Sequence, residues 1–188
     1  DNHVSVLHDW DAEAFPWRGT ARAVHVVRLF SIALGAGTIA AIYAIARLAL
    51  PGRPALHITA TLLAAFNPMF LFISSSVNND NLVNLLSATT LALLLDIWRA
   101  GLSTRRVVVL AALLALASLA KLSGLALYPV AALAVLGVLV RERHPWAEWA
   151  RTLLIVIAAW VVIAGWWYAR NIHLYGEPFG LNSMIEII

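Results

Sequence analysis

Four consecutive polar residues, Asn78, Asn79, Asp80 and Asn81, stand between two long apolar runs. A carboxylate among amides beside hydrophobic segments is costly without partners, and charge at membrane depth usually marks function. Asp80 could bind a divalent metal, orient a hydroxyl, or cap the helix that starts beside it, where the free N–H groups and the dipole favour an anion. Three neighbouring amides are more than a cap needs. Lys121 also sits between apolar runs. It could snorkel to the interface, or its compact ammonium could meet a phosphate at the membrane surface. Arg170-Asn171 follows Trp166-Trp167-Tyr168, with His173 and Tyr175 just beyond. This is either an aromatic belt with a flanking cation or a second cationic contact. Asp80 is the candidate catalytic group. Asn78, Asn79, Lys121, Arg170, Asn171 and Tyr175 are the candidate substrate-binding groups.

The elements that must position these residues are membrane helices. The chain has 188 residues, 62% hydrophobic and 12% charged, against about 25% charged in an average soluble domain. The predicted class is an all-α polytopic transmembrane bundle of about six spans. The spans fall near 24–48, 56–76, 81–98, 104–121, 124–140 and 152–169. In the first, Ala33, Gly37 and Ala41 recur every fourth residue, as do Ala36, Ala40 and Ala44; small residues at that spacing let helices approach closely. Pro68 should kink the second span, with Asn67 placed to satisfy a freed carbonyl. Ser103 is the expected N-cap of the fourth. The stretch from Val107 to Val140 is too long for one span, and Lys121-Leu-Ser-Gly124 divides it. Asp96 is expected to pair with Arg99 at i+3. Three regions follow: an interfacial segment at 1–23, the bundle at 24–175 and a tail at 176–188.

The +3 charge is explained by arginines gathered in loops at 47–57, 99–106 and 141–151, not by nucleic-acid binding. The positive-inside rule puts those loops in the cytoplasm. Both termini, Asp80, Lys121 and Arg170 then face outward, in a multi-pass protein of the inner (plasma) membrane. Arg28 reads as a helix-end anchor. His3, His8, Asp9, Asp11 and Glu13 lack a recognised metal-ligand spacing. Without cysteine there is no disulfide framework or thiol chemistry. The chain begins at Asp1, not Met, so it is expected to be a processed form or a fragment lacking an upstream span.

Four blocks resemble the lipid-linked-sugar glycosyltransferases of the C-type membrane superfamily, which includes protein mannosyltransferases and aminoarabinose transferases. They are Arg28 to Thr38 running on to Arg47, Asn67-Pro68 through Asp80-Asn81-Leu82, Ala115 to Lys121-Leu-Ser-Gly124, and Trp166 to Asn171 with Tyr175-Gly176-Glu177-Pro178. The resemblance covers about residues 24–180. It implies inverting transfer of a sugar from a polyprenyl-phosphate donor to an acceptor outside the cytoplasm. Such chemistry needs a carboxylate to take the acceptor proton and cations to stabilise the departing phosphate. By the resemblance, Asp80 matches a second acidic position, Lys121 and Arg170 are candidates for the donor phosphate, and the leading base lies upstream of these residues. The partners implied are membrane lipid and the polyprenyl-phosphate sugar. The alternative is a non-catalytic multi-span subunit held among other membrane subunits. A transporter fits less well, because the span centres offer few polar groups beyond Thr59, Thr61, Ser87, Thr89 and Thr90.

Overall fold

The run that opens at Gly19 contains no proline and almost no charge until Arg47, so nothing stops a helix once it starts. In the computed structural model, which describes residues 13–180, it becomes α1, Gly19–Ala49. It begins five residues before the expected span. At 31 residues it rises about 46 Å, against a hydrocarbon core of about 30 Å. Its first turns can therefore stand clear of the apolar layer and carry Arg22 and Arg28.

Pro51-Gly52-Arg53-Pro54 ends that run, with Gly52 at φ +77°, a conformation glycine adopts without strain. Two helices then share the expected second span: α2, Pro54–Ala65, and α3, Pro68–Ser75. They meet at a 59° bend. The expectation for Asn67 is corrected here. Its Oδ1 accepts the amide N–H of Met69 at 3.0 Å and of Phe70 at 3.2 Å. It caps a new helix, with proline at the first helical position, and does not repair a carbonyl within a continuous one.

The remaining elements are α4 (Asp80–Ala100), α5 (Thr104–Ala120), a 3₁₀ turn (Leu122–Ala126), α6 (Leu127–Arg141), α7 (Trp146–Trp160), a π turn (Val161–Gly165) and α8 (Trp166–Tyr175). Every regular element among the described residues is helical. Gly19–Ala49, Asp80–Ala100, Leu122–Arg141 and Trp146–Tyr175 are long and apolar enough to cross a membrane, and the bent α2–α3 pair could supply a fifth crossing. α5 has 17 residues, about 26 Å, the lower limit of a crossing helix. Ser103 caps it as expected, accepting the Arg106 N–H. The last helix runs on to Tyr175, so Arg170, Asn171 and Tyr175 lie on its final turns.

The core forms where α4, α5 and α6 meet, around Ile97, Leu110, Leu114, Ala117 and Val138. α1 packs on α4, and α7 on α5. The small residues of α1 act only in part as expected. Gly37 lets Leu85 approach, since a Cβ there would lie 3.0 Å from its Cδ1, and Gly35 does the same for Ser74. The buried stripe is Ser31, Gly35, Thr38 and Ala46, whereas Ala33, Ala36 and Ala40 are exposed. Thr38 can join this stripe because its hydroxyl donates to the Leu34 carbonyl at 3.0 Å.

The end of the bundle with the arginine loops is tied by side chains reaching backbone. Asp96 pairs with Arg106, not Arg99, at 2.7 Å. Arg106 also donates to the Ala100 and Gly101 carbonyls, and Arg99 donates to the Leu48 carbonyl. The i+3 pairing lost because the ends of α1 and α4 expose carbonyls that a long guanidinium satisfies better.

Candidate functional site

At the opposite end, three serines and the Asn78–Asn81 quartet must leave α3 and start α4. Ser75 and Ser76 close α3 by donating to the Phe72 and Ile73 carbonyls. Asn81 turns back and donates its side-chain N–H to the Ser76 carbonyl at 3.0 Å. It is 2% exposed, so it holds the hairpin together from inside. Asn78, just outside the helix, accepts the Asp80 backbone N–H through its Oδ1 at 2.9 Å. Asp80 stands in the first turn of α4, and its carboxylate forms an ion pair with Lys121.

Lys121 arrives there because α5 stops. Its backbone is extended, at φ −160° and ψ 146°, and the 3₁₀ turn begins immediately after it. Gly124 makes this turn possible: a Cβ on it would lie 2.5 Å from the Ala117 carbonyl carbon. Asn79 fastens the same junction from the other side, donating its side-chain N–H to the Ala120 carbonyl at 3.3 Å. Asp80, Asn79 and Lys121 are therefore brought together, as the sequence suggests. Both charged side chains keep access to solvent, 29% for Asp80 and 40% for Lys121. The ammonium has three N–H donors, so pairing with Asp80 leaves others for an incoming anion.

The late cluster is built differently. Arg170 is exposed and lies over the Trp167 ring, with its guanidinium carbon 5.4 Å from the centroid. Its described contact is this stacking, not the Asp80–Lys121 pair. Tyr175 is 49% exposed. Asn171 is buried at 5%; its N–H donates to the Pro178 carbonyl at 3.0 Å, while its Oδ1 has no partner among the described residues. Pro178 and Phe179 are thereby folded back on α8, and Phe179 meets the Tyr168 ring edge-on at 5.9 Å.

Tyr168 is the contact that sequence reading missed. Its hydroxyl donates to the Ser118 carbonyl at 3.0 Å, from a buried position. This bond anchors α8 beside the end of α5, three residues before Lys121. Within Trp166-Trp167-Tyr168 the tyrosine looks like one more interfacial ring. Only its spacing with Ala164 and Asn171, both buried on the same face, separates it from the exposed tryptophans.

The donor set does not fit a divalent metal. Asp80 faces an ammonium where a metal would need further carboxylate, carbonyl or imidazole ligands. No group of three or more metal-ligating side chains occurs among the described residues. Of the N-terminal acidic and histidine cluster, residues 3–11 lie outside the described range.

A protein-family model described as predicted membrane protein (DUF2142) matches residues 18–178. No curated protein and no solved structure matches the chain.

Proposed function

The chain belongs to the DUF2142 family of predicted membrane proteins, and from that premise we propose that it is a membrane glycosyltransferase, or part of one, using a polyprenyl-phosphate sugar. The observation that carries this reading is the Asp80–Lys121 ion pair, held where two helices start and stop at one end of the bundle. In the reaction, the bond between the anomeric carbon and the phosphate oxygen breaks. A new bond forms to the acceptor oxygen, the acceptor's proton goes to a carboxylate, and polyprenyl phosphate leaves with the bonding pair. Asp80 orients the acceptor hydroxyl, and Lys121 donates N–H to the departing phosphate. Arg170, on the same end, adds positive charge, while Asn78 and Asn79 hold the hairpin. This end faces out of the cytoplasm, since the opposite loops carry the arginines.

The test is sugar transfer from a polyprenyl-phosphate donor by the full-length protein in membranes. Asp80→Asn and Lys121→Ala should each lower turnover about 100-fold, the usual scale for losing one preorganised electrostatic contact. The double variant should fall little further, because the two act as a unit. Full activity in both single variants would remove the assignment. A second reading, a non-catalytic subunit beside other membrane proteins, is favoured by α7, in which no residue is fully buried. It predicts a partner that co-purifies in mild detergent and no Asp80-dependent sugar transfer by this chain.

A further inference from the structure

A cavity of about 490 Å³ opens between the start of α1 and the end of α3. Neither Asp80 nor Lys121 lines it, and it does not depend on the sugar-transfer reading. Trp17, His25, Arg28, Ser75 and Ser76 supply its polar wall, and Leu29, Ile32 and Phe72 the rest. No carboxylate among the described residues lines it. Arg28 brings N–H donors in a fixed fork, and the rings of His25 and Trp17 add others. These two rings are stacked 3.9 Å apart at 17°, which holds them together in the cavity wall. The end of α3 would ordinarily present negative carbonyls to the cavity. The Ser75 and Ser76 hydroxyls donate to the Phe72 and Ile73 carbonyls at 2.9 and 2.8 Å, which blunts that charge.

Depth decides what such a site would meet. Between Arg28 and Arg47, α1 rises about 29 Å, one hydrocarbon thickness. With Arg47 at one boundary, Arg28 sits at the other, at the level of lipid phosphates. A tryptophan beside it suits the same level. The cavity is also two-faced: the N–H donors of Arg28, His25 and Trp17 on one side, and the exposed apolar side chains of Leu29, Ile32 and Phe72 on the other. A free phosphate would use only the first face, whereas a phosphate attached to acyl chains uses both. We infer that this cavity binds the phosphate headgroup of an anionic membrane phospholipid, with Arg28 as its principal contact.

Native mass spectrometry of the purified full chain, titrated with phosphatidylglycerol, phosphatidylcholine or inorganic phosphate, tests this. Wild type should retain phosphatidylglycerol in preference to phosphatidylcholine. Arg28→Gln should weaken its retention about tenfold or more, as expected for losing a charge-assisted contact. Arg105→Gln, which removes a cation from the opposite end of the bundle, should leave retention unchanged. Arg28→Lys keeps the charge but loses the fork, so it should fall between wild type and Arg28→Gln and serves if Arg28→Gln does not fold. Inorganic phosphate should not compete at millimolar excess. Equal retention by wild type and the Arg28 variants would overturn the inference. Competition by free phosphate at the lipid's own affinity would overturn the lipid assignment in favour of a soluble anion.

Discussion

Replacing Gly124 with alanine should cost more than the loss of any single hydrogen bond in the molecule. The new methyl carbon would lie 2.5 Å from the Ala117 carbonyl carbon, closer still to its oxygen, and 3.1 Å from the Ser118 nitrogen. All three are backbone atoms inside α5, so no side chain can swing away to make room. Either the 3₁₀ turn lifts off α5 or the end of α5 unwinds. Overpacking usually costs about 1–3 kcal/mol, and a purely backbone obstacle belongs at the upper end, roughly 3 kcal/mol. For a chain of this size that is a fall in Tm of about 6–12 °C. Gly165→Ala is the matched control. Its methyl would meet nothing nearer than 3.7 Å, within a helical backbone, so it should be neutral or raise Tm, because alanine is the better helix former. Thermal unfolding of both variants in the same detergent reads the difference. A Gly124→Ala variant within 2 °C of wild type, on the scale set by about 0.5–1 kcal/mol, would refute the reasoning. So would equal shifts of the same sign in both.

Other outcomes can be read separately. Tyr168→Phe deletes the bond to the Ser118 carbonyl and should lower stability by about 1 kcal/mol, seen as a small Tm loss with the helical circular dichroism unchanged. Glu142, in the loop after α6, accepts from Arg141 at 2.9 Å and contacts the His144 ring at 3.0 Å. Arg141 first, then His144, holds its carboxyl below the ordinary glutamate value. A carboxyl with a lowered folded-state value stabilises fully above its ordinary value and loses that contribution as pH falls through the lowered one. The stability gap between wild type and Glu142→Gln should therefore be fully present at neutral pH and close only as acid takes the pH below the ordinary glutamate range and through the lowered value; a gap unchanged by acid would show that these contacts contribute nothing. The absence of cysteine makes single-cysteine labelling clean. Val77→Cys in intact cells should react with an impermeant maleimide and Arg105→Cys only after permeabilisation; the reverse pattern would invert the proposed orientation.

The fold class and most helix boundaries were legible because composition and proline, glycine and serine positions act locally. Pro51 to Pro54 could only be a turn, and Ser103 could only cap usefully from where it stands. The division at Lys121 was legible for the same reason, since the apolar run was too long for one crossing. What escaped depends on partners from elsewhere in the chain. For Asp96 the nearest partner along the sequence is Arg99 at i+3, but Arg106 reaches it across the turn between helices. Asn67 before a proline fits the repair of one helix as well as the start of another, and a sequence does not declare a 59° bend. Small residues recur along α1 at every fourth position, yet only contact with Ser74 and Leu85 decides which of them is used. The pairing of Asp80 with Lys121 could be suspected from their isolation, whereas the Tyr168 anchor could not be told from its aromatic neighbours.

The π turn at Val161–Gly165 fixes how the late helix tolerates change in length. An ordinary α-helix advances about 100° per residue, and the wider turn takes up one additional residue. That offset sets the azimuth of everything after it, aiming Tyr168 at α5 and leaving Trp166 and Trp167 outward. Removing a residue there would swing the tyrosine about a quarter of the way around the axis and strand its hydroxyl in lipid. The same deletion in the 142–145 turn would shift only a loop. Length variation should therefore be spread unevenly along the last 30-residue rod, concentrated at its entrance and excluded from its waist.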